Sequence, residues 1–180
     1  MTAALTAPSL FASPAIAAPV HQPAPAVTVV TKRDAAARRS QRLAAAARAV
    51  SRGRTAKALS FARAQVGKPY RYGATGPGSY DCSGLVQASY NHAGIATGPH
   101  NVVAQYNYFK NRGRLVPLSH RQPGDILFYS FNGRPSGGYH DSIYTGGGTM
   151  VEAANIRVGV IKRRIWLPGQ LLPYVARPAA

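Results

Sequence analysis

The chain is poor in acid and nearly devoid of cysteine: its 180 residues hold five Asp and Glu together and a single Cys. One thiol cannot form an internal disulfide, so the fold must close by burial alone, and a zinc site built from several thiolates is excluded. Also missing is any apolar run near the ~18 residues that a membrane helix needs, so no transmembrane segment is expected. The 22 Lys and Arg therefore stand almost unopposed, for a net charge of +17. Such an excess favours anionic surroundings, namely nucleic acid, a membrane surface or bacterial wall polymers, and it names a class of neighbour rather than a reaction. The length and the 46% hydrophobic content fit one core plus a tail.

Charge is absent altogether from residues 1–31, which are rich in Ala and Pro. That composition does not make a domain. The triplet Ala15, Ile16, Ala17 resembles an export cleavage site, and "SLFASPAIAA", which contains it, could serve as a weak apolar region. A basic leader is lacking, so the alternatives are a start further upstream or a disordered Pro/Ala segment; export is the expectation. Residues 32–54 carry eight basic side chains against Asp34, in a context of Ala and Arg that favours an exposed linker helix. No aromatic is interleaved there to stack on bases, which argues against specific nucleic-acid binding.

A third region, 55–180, has the patterning of a folded domain. Ala58, Leu59, Ala62 and Val66 share a helical face, with Thr55 as the expected N-cap and Gly67 as the stop. A Gly- and Pro-rich loop leads to "CSGLVQASYNHAG", a second helix ended by Gly94. Beyond it, "DILFYS", "YHDSIYT", "TMVEAAN" and "VGVIKRRI" read as strands. Helices followed by strands is the α+β order: N-terminal helices packed on a small antiparallel sheet.

Chemistry is concentrated around the lone thiol. Cys82 opens its helix, where unpaired N–H groups and the helix dipole stabilise a thiolate, so its pKa is expected to fall below the free value. The competing reading is a small buried hydrophobe. The run "YHDSIYTGGGTMVEAAN" is a hairpin turning at Gly146, Gly147 and Gly148. A turn centred near Gly146 sets His140 opposite Glu152 and Ser142 opposite Met150, within reach for a carboxylate to orient an imidazole. Asp141, next in the strand, faces the other side and is not the orienter. Cys82, His140 and Glu152 thus form a candidate nucleophile, base and holder. His21, His92, His100 and His120 show no metal-type spacing, so neither metal nor cofactor is expected.

The blocks "GKPYRYGATGPGSYDCSGLVQASY", "QPGDILFY" and "HDSIYTGGGTMVEAAN" resemble the signatures of the NlpC-type cell-wall cysteine endopeptidases, a papain-like family. The resemblance spans about Thr55 to Pro173. It implies Cys82 as nucleophile, His140 as base and Glu152 in place of the family's third polar residue. It further implies Tyr70 at the rim of the site, Asp81 and Ser83 as substrate-side neighbours of the nucleophile, and a structural Asp125. Two features depart from the family: Asp141 and Ser142 follow the histidine, and "PHNVVAQ" carries His100 in place of an arginine, with Gln105 retained. The implied substrate is the peptidoglycan stem peptide, cut between D-isoglutamate and a diamino acid by a secreted or wall-associated monomer. A thiol acyltransferase or other amidase, and a basic wall-binding protein without catalysis, stay open as alternatives.

Overall fold

The computed structural model describes residues 31–180. The expected export segment, residues 1–31, lies outside the described residues except for Thr31. Three helices precede six strands: α1 Lys32–Ala64, α2 Cys82–His92, α3 Val102–Lys110, β1 Leu115–Pro117, β2 Ile126–Ser130, β3 Gly138–Gly146, β4 Thr149–Asn155, β5 Gly159–Arg164 and β6 Tyr174–Ala176. The strands form one antiparallel sheet in the order β1-β6-β2-β3-β4-β5. The α+β reading of the sequence holds.

Helix α1 differs from the expectation at its start. Thr55 caps nothing, because one continuous helix runs from Lys32, closed by a reciprocal capping box between Thr31 and Asp34. Ala and Arg are strong helix formers on both sides of the expected boundary, and Gly53 alone does not interrupt them. Only the C-terminal part of α1 docks, through Ala58, Leu59 and Ala62. Val66, expected on that face, lies beyond the helix end and is exposed.

The sheet is covered on both faces. On one, α1, α2 and α3 bury Leu85, Val86, Tyr90, Tyr106 and Phe109 against the alternate strand residues Ile126, Phe128, Ile143 and Val151. On the other, Leu127, Tyr129, Tyr144, Met150 and Val175 are covered by Trp166, Leu171 and their neighbours. The period-2 alternation of strands accounts for this division. Removing such apolar surface from water stabilises the domain by ~25 cal/mol per Å².

The central hairpin is shifted from its expected register by two residues. Observed pairs are Ile143↔Val151 and Tyr144↔Met150, with an irregularity between Tyr144 and Gly146. The turn glycines Gly146, Gly147 and Gly148 all have positive φ, so the chain reverses later than a turn centred on Gly146 would. A two-residue shift preserves parity, and every side chain stays on its expected face.

Candidate active site

Cys82 is presented by the first turn of α2. Its N-cap is Asp81, whose side chain accepts the Gly84 N–H at 2.7 Å and, from the preceding loop, the Gly73 N–H at 2.7 Å. Gly84 is required for this approach, because a Cβ there would lie 2.1 Å from the Ala74 carbonyl oxygen. With the Gly84 N–H given to Asp81, the Leu85 N–H to the Asp81 carbonyl and the Ser83 N–H to the Cys82 sulfur, the Cys82 N–H is the helix-start donor left for a ligand.

His140 and Glu152 meet on the face of the sheet away from the helices. The Nε2 of His140 lies 2.6 Å from Oε2 of Glu152. Under the observed register Ser142 lies at the level of Glu152, so His140 reaches the carboxylate diagonally across the β3–β4 pair rather than from directly opposite. Glu152 is 0% exposed and His140 6%. Rings of Tyr129, Tyr139 and Trp166 surround the imidazole with centroids 5.6, 6.4 and 6.0 Å away.

Two further groups hold Glu152. Trp166 donates its indole N–H to Oε2 at 3.2 Å, and the Arg163 guanidinium forms an ion pair with Oε1 at 2.5 Å, without hydrogen-bond alignment. Burial alone would raise this carboxyl. The bond and charge of His140, the charge of Arg163 and the Trp166 bond outweigh it and hold Glu152 below the ordinary glutamate value. Neither Arg163 nor Trp166 was singled out from the sequence. Arg163 stands opposite Met150, on the same face as Ile161, the partner of Glu152, so strand alternation could have found it.

The thiol sits against β3 at Asp141, the residue after His140, and receives the Asp141 and Ser83 main-chain N–H groups. Its expected depressed pKa is not what the resting site shows. Burial pushes the Cys82 thiol up, with the Asp141 and Asp81 carboxyls acting in the same direction and outweighing the two N–H groups. Cys82 is partly exposed and opens on a cleft of about 230 Å³ lined also by Tyr70, Asp81, Ser83, His100 and Tyr139. Of the three residues expected on the substrate side, Tyr70 and Ser83 border the thiol in this cleft. Asp81 borders it too, but its carboxylate is occupied by Gly73, Gly84 and His100 Nε2, the last at 2.6 Å. That carboxylate fixes the helix start. Asp125 is structural as expected, accepting the Gln122 N–H and pairing with Arg177. Among the described residues no three His, Cys, Asp or Glu side chains cluster as a metal site requires.

The NlpC/P60 family model matches residues 67–172, a span that includes the thiol, the β3–β4 hairpin and the cleft between them. The chain belongs to the NlpC/P60 family. Peptidoglycan endopeptidase RipA of Mycobacterium tuberculosis is 36% identical over 126 residues, which is 63% of this chain and 25% of RipA. A probable endopeptidase p60 of Listeria grayi is 34% identical over 99 residues, or 55% of this chain and 18% of that protein. The chain thus spans about a quarter or less of the length of these two relatives. Among solved structures, the P60 domain of the antigen MAP1204 from M. avium subspecies paratuberculosis superposes with a TM-score of 0.62 at 26% identity, covering 72% of this chain and 98% of that domain. A RipA structure superposes with a TM-score of 0.62 at 30% identity, covering 73% of this chain and 65% of that one. The NlpC/P60 core is therefore the part shared with all of them. No helix among the described residues is long and apolar enough to cross a membrane.

Proposed function

We propose that the chain is a cysteine endopeptidase that hydrolyses an amide bond of peptidoglycan stem peptides, between D-isoglutamate and a diamino acid. The observation that carries this reading is the position of the Cys82 thiol at the main-chain N–H of Asp141, the next residue along β3 from His140, whose ring is paired with the buried Glu152; no hydrogen bond joins sulfur and imidazole in the resting site, so the proton transfer requires the two to approach. Solved RipA variants mutated at a histidine and at a glutamate have those positions 12 apart, the separation of His140 and Glu152 here, which supports the same assignment.

The chemistry follows from the tautomer. A bond from His140 Nε2–H to Glu152 leaves Nδ1 free to accept a proton. Because burial holds the resting thiol protonated, sulfur attacks the amide carbonyl as its proton passes to Nδ1, in the manner of a hydroxyl nucleophile rather than a preformed ion pair. Glu152 stabilises the imidazolium, and the Cys82 N–H at the helix start is the donor proposed for the oxyanion. The C–N bond then breaks as His140 protonates the leaving amine. Water, deprotonated by the same ring, attacks the thioester and releases a carboxylate; the proton returns to sulfur.

The site of action proposed is the cell wall, outside the cytoplasm. From Thr55 onward fourteen basic and four acidic side chains leave +10, and the exposed part of α1 adds more, so anionic wall polymers are natural neighbours. The deciding experiment digests purified muropeptides with the wild type and with Cys82→Ala, and reads products by mass spectrometry. New free amines from the wild type and none from the variant are expected. Products carrying a transferred acyl group would replace this reading with an acyltransferase; no products and an ordinary thiol would replace it with a binding protein.

A further inference from the structure

Strand β3 carries a buried group that the reaction above leaves unused. Asp141 is 0% exposed and pairs with Phe128 on β2. Neither of its carboxyl oxygens has a hydrogen-bond partner of good geometry among the described residues, the groups within reach being the Cys82 thiol and its own main-chain N–H. A buried carboxyl in that condition costs stability and requires a reason. The titratable groups facing it come from the start of α2 and its N-cap: the Cys82 thiol lies against it, and the Asp81 carboxylate acts on it through space. None of the ion pairs among the described residues includes it. His140, its chain neighbour, is turned to Glu152 on the opposite face of the strand.

The two carboxyls near the thiol are thus placed unequally. Asp81 has two main-chain N–H groups and His100 to support a negative charge, and Asp141 has no cation. When two acids share a site, the better supported one holds the charge and the other keeps its proton. Burial, and then the Asp81 charge, push Asp141 up to about 8, so at neutral pH it is an uncharged acid beside the sulfur.

We propose that Asp141 is a further residue of the catalytic centre: its neutral O–H donates a hydrogen bond to the Cys82 sulfur as negative charge develops there, and its ionisation shuts the centre down. This rests on Cys82 being the nucleophile. No bond to Asp141 is made or broken in the cycle; the thiol proton goes to His140 and the carboxyl keeps its own. Once ionised, Asp141 accepts from S–H and opposes a thiolate by like charge. Activity then declines about tenfold per pH unit above the Asp141 ionisation.

The test uses the full chain and two variants. Asp141→Asn keeps a donor and cannot ionise; Asp141→Val has neither property and suits an apolar interior. The first readout is the pH midpoint of Cys82 alkylation by iodoacetamide, which needs no substrate. It is expected to fall by about one unit or more in Asn, and by less in Val, because an anion has been removed from the thiol in both and a donor retained in one. The second is muropeptide cleavage at pH 9 relative to pH 7, expected to drop about tenfold in the wild type and less than about twofold in Asn. Unshifted alkylation midpoints, or an alkaline decline that survives in Asn, overturn the proposal; equal midpoints in Asn and Val overturn the donated hydrogen bond. If muropeptides are not cleaved at all, the peptidase reading fails, while the alkylation curves still decide whether Asp141 governs Cys82.

Discussion

Replacing Glu152 by Gln removes one charge from a site with no room for the change. Two donors and one ion-pair partner converge on this carboxylate: His140 Nε2 at 2.6 Å and Trp166 Nε1 at 3.2 Å on Oε2, and the Arg163 guanidinium beside Oε1. Glutamine offers one acceptor oxygen and one NH2. With its oxygen toward His140, the NH2 meets the Arg163 guanidinium, donor against donor. With the amide flipped, the NH2 meets His140 and forces the proton onto Nδ1, which in the proposed mechanism removes the base for Cys82. Either arrangement leaves the imidazolium of the transition state without its anion. Breaking a buried pair by neutralising one partner costs about 3–5 kcal/mol, which is roughly two to four decades in turnover at 1.36 kcal/mol per decade.

Glu152 is fully buried and cannot touch a substrate, so KM should stay within about twofold while kcat carries the loss. The assay is amine release from a purified muropeptide over a range of concentrations, with a thermal melt of each protein as the control for folding. A variant that melts like the wild type and retains turnover within about threefold would refute the argument, since then the buried pair does not support the imidazolium. A rise in KM at constant kcat would refute it differently, by making Glu152 a binding group.

Two further outcomes follow from the fold and the charge. Gly84→Ala sets a methyl 2.1 Å from the Ala74 carbonyl oxygen, so α2 must move off the 73–74 loop; a loss of about 1–3 kcal/mol in urea unfolding, together with reduced turnover, is expected, and a wild-type midpoint would show that the loop yields freely. Binding to isolated cell walls is expected to weaken steeply between low and high salt, as exposed charge does when screened; retention at high salt in a pull-down assay would exclude charge as the source of adhesion.

Much of this site was legible because its parts obey short periods. The helical repeat that begins at "CSGLV" placed Cys82 at a helix start, where the structure adds Asp81 as the N-cap, and strand parity placed His140 and Glu152 together and Asp141 apart. Parity survived an error of two residues in the hairpin register, since a shift of two moves a side chain along a face without changing the face. What escaped was either too short for a period or too regular to show a boundary. Strands β1 and β6 have three residues each, and α3 begins at an N-cap, Asn101, inside a stretch that resembles a loop. The Thr55 boundary failed for the opposite reason, because helix-forming residues continue on both sides of it.

The thiol shows a limit of reasoning from local motifs. A helix start favours a thiolate, and two N–H groups do reach the Cys82 sulfur, yet burial and two carboxyls more than offset them. The sequence contains both carboxyls, but only the packing of α2 on β3 brings Asp141 against the sulfur. The same packing sets the sign of the effect on stability. Asp141 is raised in the folded state, so it binds a proton that the unfolded chain has already released above the ordinary aspartate range. Stability from this group is fully present below that range and declines as pH rises toward about 8, where the folded carboxyl also ionises. A carboxyl that weakens the fold across the neutral range while lying against the proposed nucleophile is better explained by reaction than by architecture.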